Sequence, residues 1–333
     1  MKRVVKIIGF LLIFIGAYWY VDGVLQNKVD ASIPVLRKFY RLKKNTIDVL
    51  ILGSSRAYCD VNPALIWRER GILSYHLSTS VQPFWISYYN LLEGLNYQKP
   101  GVVILETAAS GWGMEYQDFP RAYISTHGLR FSKNKLKAVR STIPPEYFWD
   151  ILVGFPLFHS RRDITKNDFV GEFDNRVYQN GYLGFANAAA FETPAVDAIE
   201  DALPIPDKQM AYLIKILDLA KEREIPLLLF ASPFVISDDA QRYFNTVKRI
   251  AAEYHVQFIN YNLLYGELGL NFEEDMADTS HLNIRGGVKL SRHLADILAG
   301  DYGLPDRRQD PAYAQWNDWA EDVMAELASL AGG

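Results

Sequence analysis

Short apolar runs alternate with segments of helical spacing along this 333-residue chain, and the alternation limits its possible folds more than any other feature. The apolar runs are Thr46–Gly53, Leu73–Ser78, Gly101–Thr107, Pro226–Pro233 and Val256–Asn262. Helical segments run from Asn62-Pro63 toward Arg70 and over Trp85–Leu95, Asp207–Arg223, Asp239–His255 and Ile284–Leu298. Strands that alternate with helices pair in parallel, and near-continuous apolar strands are typical of a sheet covered on both faces. The sequence therefore predicts a three-layer α/β/α sandwich with a central, mainly parallel five-stranded sheet.

The alternation is interrupted between residues 108 and 206, where the chain is rich in Tyr, Phe and Trp. We interpret this segment as a large insertion beside the site and not as a separate domain. Residues 46–300 then form one α/β domain. Residues 23–45 are predicted to be a stalk with an amphipathic helix around Ile33–Leu42. Residues 301–333 are predicted to be a helical tail, with a helix around Pro311–Leu330.

The N-terminus has the composition of a membrane anchor. Basic residues at Lys2, Arg3 and Lys6 precede an uncharged run from Ile7 to Val21, and Tyr18–Tyr20 stand where an interfacial aromatic belt lies. With its flanks, the run approaches the ~20 residues that cross a bilayer as a helix. Since no small-x-small cleavage site follows directly, residues 1–22 are predicted to be an uncleaved signal anchor, with a cleaved signal or a buried core helix as the alternatives. The basic start favours a single-pass cell-membrane protein whose domain is extracytoplasmic, although further basic residues follow the run.

Composition excludes several other classes of function. The formal net charge of −4 argues against nucleic-acid binding. The single cysteine, Cys59, can form neither a disulfide within the chain nor a cysteine-based metal site. No His/Asp/Glu spacing suggests a metal, and no Gly-rich phosphate loop is present. We therefore expect neither a metal nor a cofactor.

The first apolar run ends in Gly53-Ser54-Ser55, which is either an ordinary turn or helix cap or the position of a nucleophile. A serine hydroxyl is a weak nucleophile unless a base removes its proton and a third group orients that base. His281 has such an orienter in Asp278, three residues earlier, although Asp278 could also be a simple helix cap. Because loops at the carboxyl ends of parallel strands meet at one edge of the sheet, we expect Ser55 and His281 to meet there.

A strand that ends in Gly-x-Ser, together with Asp-x-x-His before the last helix, resembles the SGNH (GDSL) hydrolase superfamily. The resemblance covers about residues 46–298 and implies a flavodoxin-like sheet. It implies Ser55 as nucleophile, His281 as base and Asp278 as the group that orients His281. Ser54 stands where the usual motif has aspartate.

The two other sequence blocks of that superfamily differ here. "YHLSTSVQP" lacks the glycine that supplies an oxyanion-hole N–H, and "VILETAAS" has Glu106 and Thr107 where an asparagine is usual. We expect the N–H of Ser55 to be one oxyanion donor. The backbone near Ser80 and the side chain of Gln82 are candidates for the second donor. Ser54 is a further candidate for contact with the oxyanion or the substrate, and Glu106 is a candidate pocket residue.

The residue after the expected nucleophile is Arg56. It is either a solvated or ion-paired side chain or a group that holds the substrate.

The patterns "GSSR" and "DTSHLN" with an N-terminal anchor resemble the membrane-anchored branch of the superfamily. That branch includes the D-alanyl-transfer protein of teichoic acid modification and the alginate and peptidoglycan acetylation proteins. It implies serine-dependent acyl transfer or ester hydrolysis on a cell-surface polysaccharide or related polymer, beside a membrane-bound O-acyltransferase. The alternatives are a non-catalytic glycan-binding or scaffold module of a cell-envelope acylation complex and a soluble intracellular esterase.

Overall fold

A computed structural model of the chain describes residues 2–25, 32–154, 159–170, 179–196 and 198–331. Its five strands are β1 (Val49–Leu52), β2 (Ser74–His76), β3 (Val102–Glu106), β4 (Leu227–Ala231) and β5 (Gln257–Asn260). They form one sheet in the order β2-β1-β3-β4-β5, in which every neighbouring pair is parallel. This is the strand order of flavodoxin-like sheets, and the predicted α/β fold with a five-stranded parallel sheet is confirmed.

The apolar strands are buried on both faces of the sheet. In β1, Leu50 packs into a core together with Leu213 of a following helix, whereas its neighbour Ile51 packs into a second core together with Leu290. Successive side chains of a strand point to opposite faces, so a strand with a helix layer on each side requires an apolar residue at every position. This is why the strands appear in the sequence as continuous apolar runs and not as alternating apolar and polar residues.

Fourteen α-helices lie within the described ranges. In chain order they are α1 (Lys2–Leu25), α2 (Ser32–Phe39), α3 (Ser55–Asp60), α4 (Pro63–Arg70), α5 (Phe84–Leu95), α6 (Phe119–His127), α7 (Lys133–Thr142), α8 (Phe148–Val153), α9 (Lys166–Val170), α10 (Asp207–Glu222), α11 (Asp238–Glu253), α12 (Tyr265–Leu268), α13 (Ile284–Gly300) and α14 (Gln315–Ala331). Helices α5, α10 and α11 contribute to the core on one face of the sheet. Helices α3 and α13 contribute to the core on the other face.

Gly53 allows the end of β1 to approach the end of β3. Its φ of 142° lies in a region that favours glycine, and a Cβ at this position would lie 2.6 Å from Cβ of Glu106. The next residue, Ser54, has extended backbone angles and caps α3, since its hydroxyl oxygen accepts a hydrogen bond from the N–H of Arg56 at 3.3 Å. Ser55 is therefore the first residue of α3, at the carboxyl end of β1.

Helix α1 is the one helix within the described residues that is long and apolar enough to cross a membrane. It has 24 residues, and an 18-residue window within it has a mean hydropathy of 2.1 and is not buried by the rest of the protein. Large apolar side chains along it are exposed, Ile13 at 74% among them. A soluble globular helix has only one apolar face, so the composition of α1 fits a lipid surrounding.

Helix α2 lies within the segment predicted to be a stalk. Its side chains Ile33, Leu36 and Phe39 are buried, and Leu36 and Phe39 belong to the core formed with α5. Residues 26–31 of the expected stalk lie outside the described residues. Within the expected insertion, α6, α7 and α8 form a smaller core, which includes Ala122 and Val139 and to which Ile33 of α2 also belongs.

Candidate active site

Ser55, His281 and Asp278 lie together at the carboxyl edge of the sheet. The Oγ atom of Ser55 is 2.8 Å from Nε2 of His281, and Nδ1 of the same ring lies 2.9 Å and 3.0 Å from the two carboxylate oxygens of Asp278. An ionised carboxylate only accepts hydrogen bonds, so Nδ1 carries the ring proton and Nε2 is free to accept from Ser55. A histidine in this tautomer can act as a base toward the hydroxyl.

The turn before α13 fixes the orientation of Asp278. One carboxylate oxygen also accepts hydrogen bonds from the N–H groups of Ser280, at 2.6 Å, and of His281, at 3.0 Å. Partial burial raises the pKa of Asp278, but hydrogen bonds from the His281 ring and the N–H of Ser280 outweigh it, so its pKa lies below the ordinary value. The carboxylate is thus ionised at neutral pH and able to hold the Nδ1 proton.

Glu106 and Ser54 form hydrogen bonds that fix the backbone next to the nucleophile. The hydroxyl of Ser54 donates to Oε2 of Glu106 at 2.9 Å, while Oε1 accepts from the N–H of Ala108 at 2.7 Å. Glu106 is almost completely buried at the end of β3. Burial raises the pKa of its carboxyl above the ordinary value, and the Arg56 cation and these hydrogen bonds oppose the rise only in part. Glu106 therefore links the carboxyl ends of β1 and β3 directly below Ser55.

Asp60 connects the nucleophile helix to the histidine loop, and the sequence analysis did not identify it. It is the last residue of α3 and is fully buried. One carboxylate oxygen accepts from the N–H of Leu282 at 3.0 Å, and the other accepts from the hydroxyl of Ser232. Burial raises the pKa of Asp60 well above its ordinary value, although the bonds from Ser232 and Leu282 oppose this. The sequence contained one signal for this role: an acidic residue between Cys59 and Val61, within an apolar stretch.

Residues 183–189 of the expected insertion flank the histidine loop. The ring of Phe185 lies 5.4 Å from that of His281, and its carbonyl accepts from the N–H of Ile284 at 2.8 Å. The side chain of Asn187 donates to the carbonyl of Ala277 at 2.7 Å. These contacts hold the loop that carries the base. Residues 155–158, 171–178 and 197 of the insertion lie outside the described residues.

The expected oxyanion donors have different surroundings. The N–H of Ser55 points out of the first turn of α3, and no hydrogen-bond acceptor for it lies within the described residues. Both amide hydrogens of Gln82 are occupied, by the carbonyl of Leu77 at 3.3 Å and by Ser87 at 3.0 Å. Its side chain belongs to an interior network and is not free to bind an oxyanion. Ser80 lies in the turn after β2, and no hydrogen bond joins it to Ser55 in the described part of the chain.

Neither a second nucleophile nor a metal-binding cluster accompanies Ser55 within the described residues. The thiol of Cys59 is buried, and burial raises its pKa well above the ordinary value, which makes it a poor nucleophile. Within the residues that the structure describes, no three His, Cys, Asp or Glu side chains are placed to hold a metal ion.

Comparisons with known proteins add a distant structural likeness. No protein-family model matches the chain, and no curated protein sequence matches it either. Among solved structures, a "putative acylhydrolase" from Bacteroides fragilis aligns with 80% of this chain and 94% of its own, at 12% identity and a TM-score of 0.41. A likeness of this size carries no argument about function, so the functional conclusion depends on the site itself.

Proposed function

We propose that this protein is a serine-dependent esterase or O-acyltransferase of the SGNH type. The observation that supports this is the connected chain from Ser55 through His281 to Asp278, with hydrogen bonds of 2.8 Å and 2.9 Å. A hydroxyl at a helix N-terminus, bound to a histidine that is itself oriented by a carboxylate, is the arrangement that nucleophilic acyl transfer requires. The same three residues carry the resemblance in the sequence.

In the first half of the reaction, Oγ of Ser55 attacks the carbonyl carbon of an ester while Nε2 of His281 takes the hydroxyl proton. The carbonyl oxygen becomes an oxyanion, to which the free N–H of Ser55 and the N-terminal end of α3 offer positive charge. One such donor stabilises the transition state by about 3–4 kcal/mol. The tetrahedral intermediate then expels the alcohol, which takes the proton from His281, and an acyl group stays on Ser55.

In the second half, His281 removes a proton from water or from an acceptor hydroxyl, and the resulting nucleophile attacks the acyl-enzyme. Water gives hydrolysis, and a sugar hydroxyl gives transfer. Asp278 stabilises the imidazolium in both halves, since it remains ionised.

We place the reaction at the outer surface of the cell membrane. Helix α1 would anchor the protein with a cytoplasmic N-terminus, and the substrate would be an acylated cell-surface polysaccharide or a related envelope polymer. Support for this comes from the apolar anchor and from the sequence resemblance to the anchored branch. That resemblance also leads us to propose a membrane-bound O-acyltransferase as partner, which would supply the acyl group.

The test uses full-length protein in detergent micelles, a fluorophosphonate probe and p-nitrophenyl acetate. Wild-type protein should bind the probe covalently and release nitrophenol, and Ser55→Ala should lose both. Ser54→Ala is the matched control, because it removes the adjacent hydroxyl and should keep the labelling. If Ser55→Ala and Ser54→Ala are labelled equally, Ser55 is not the nucleophile. Absence of both labelling and turnover in the wild type would favour the non-catalytic glycan-binding or scaffold module.

A further inference from the structure

Arg56 presents an unpartnered cation beside the nucleophile. It follows Ser55 in α3, and its guanidinium lies 3.5 Å from the centroid of the Phe234 ring. Within the described residues this guanidinium has no salt bridge and no hydrogen bond. An arginine has five N–H donors, and because Arg56 is half-buried and lines a cavity, donors on it remain accessible. The arrangement fits a cation that is stacked on an aromatic ring and left open toward a ligand.

The guanidinium opens into a cavity of about 200 Å³. Trp112, Tyr243, Ser110 and Ser237 also line it. This is smaller than the about 300–1,000 Å³ of sites for drug-sized molecules. The cavity is therefore suited to one charged group with a small part of its carrier.

A second observation points to a ligand in the same cavity. Ser110 is only 1% exposed, and its hydroxyl has no hydrogen-bond partner among the residues that the structure describes. A buried hydroxyl without a partner destabilises the folded state, and an oxygen atom of a bound ligand would supply the missing partner. Arg56 and Ser110 thus offer donors on the same cavity.

The carboxylates near the cavity do not neutralise Arg56 by contact. Glu106, Asp60 and Asp278 all act on Arg56 electrostatically, but none of them forms a salt bridge with it. Asp239, which also lines the cavity, pairs with Arg242 at 2.9 Å. An anionic group in the cavity would therefore meet a cation that stacks on Phe234 but forms no ion pair with a carboxylate of the described residues.

We infer that this cavity is an anion subsite in which Arg56 binds a carboxylate or phosphate group of the substrate, next to the ester bond held at Ser55. The inference rests on the proposed function and narrows it to esters that carry such a group close to the scissile carbonyl. The planar guanidinium can bind either group through two parallel hydrogen bonds, and the rings of Trp112 and Tyr243 offer faces for the carrier.

The experiment measures binding and not turnover, so that it is independent of the proposed reaction. Glucuronate, glucose 6-phosphate and glucose are titrated by calorimetry into full-length protein in detergent micelles. At least one of the two anions should bind about tenfold more tightly than glucose, since hydrogen bonds between charged groups are the stronger ones. The two anions together tell whether the subsite takes carboxylate or phosphate. Equal binding of all three sugars would overturn the inference.

Variants then assign the effect to the cavity. Arg56→Gln should reduce the affinity for the anion to that for glucose, and Arg56→Lys should be intermediate because it keeps the charge but not the planar fork. Ser110→Ala removes a single unpartnered oxygen, so it should fold normally and should weaken anion binding several-fold. Arg292→Gln is the matched control, since Arg292 is half exposed on α13 and pairs with Glu69.

Failure of this inference is distinguishable from failure of the proposed function. If fluorophosphonate labels Ser55 but Arg56→Gln binds the anion as tightly as the wild type, the anion subsite is wrong and the reaction is unaffected. If the anion binds through Arg56 but Ser55 is never labelled, the cavity is a binding site in a non-catalytic protein.

Discussion

Removal of the Asp60 carboxylate is expected to loosen the histidine loop and to destabilise the fold. In Asp60→Ala, the N–H of Leu282 and the hydroxyl of Ser232 lose their buried acceptor. Each unsatisfied buried donor costs about 1–3 kcal/mol, so the free energy of unfolding should fall by about 2–6 kcal/mol. Asp60→Asn keeps one acceptor oxygen, so the free energy of unfolding should fall by about half as much as in Asp60→Ala. Such a loss is a large part of the ~5–15 kcal/mol that holds a typical domain folded.

Activity should fall further than stability alone explains, because Leu282 is the neighbour of His281. A displacement of about 1 Å at a reacting group can reduce the rate about 100-fold. The assay compares chemical denaturation with p-nitrophenyl acetate turnover, measured well below the unfolding temperature in full-length protein. Asp296→Ala is the control, since Asp296 pairs with Arg70 at the surface, where ion pairs contribute at most about 1 kcal/mol. Wild-type stability and turnover in Asp60→Ala would refute the reasoning.

Three further substitutions test the surroundings of the nucleophile. Asp278→Asn should lower kcat/KM about 100- to 10,000-fold, because an amide that donates to Nδ1 places the proton of the imidazole on the wrong nitrogen; normal turnover of p-nitrophenyl acetate would contradict this. Ser54→Ala should lower the free energy of unfolding by about 1–2 kcal/mol through loss of the α3 cap, with fluorophosphonate labelling retained, and an unchanged denaturation midpoint would argue against the cap. Glu106→Gln should change the pH dependence of stability: the pKa of Glu106 is raised above 4.5, so its contribution is complete below pH 4.5 and is lost as the pH rises through the folded-state value. Denaturation at pH 4 and pH 7 should therefore show the wild type losing stability relative to Glu106→Gln, and a pH-independent difference would contradict the shift.

The sheet could be predicted from the sequence because its strands are buried on both faces. Each apolar run required a helix layer on either side, and the strands and main helices lie within a few residues of their predicted bounds. Helix α3 was not predicted, since six residues are too few for a helical period and Ser54-Ser55 fits a turn equally well. The cap signals at Asp118 and Ser132, which begin α6 and α7, were present in the insertion but were obscured by its irregular aromatic composition.

The proximity of Ser55 and His281 could be predicted from the sequence because both residues follow strands of one parallel sheet. The surroundings of Gln82 could not be predicted, because its hydrogen bonds go to Leu77 and Ser87, and Ser87 reaches it only through the packing of α5 against the sheet. The role of Asp60 was hidden for the same reason, since its partner Leu282 is more than two hundred residues away along the chain.

The acyl-enzyme on Ser55 is the central claim, and mass spectrometry tests it most directly. Full-length protein is mixed with p-nitrophenyl acetate, quenched in acid at early times and digested, and the peptide that contains Ser54 and Ser55 is fragmented. We expect a single acetyl group on Ser55 that forms with the first release of nitrophenol and then decays, and that is absent in His281→Ala. Nitrophenol release with Ser55 unmodified, or acetylation of a different residue, would contradict the account.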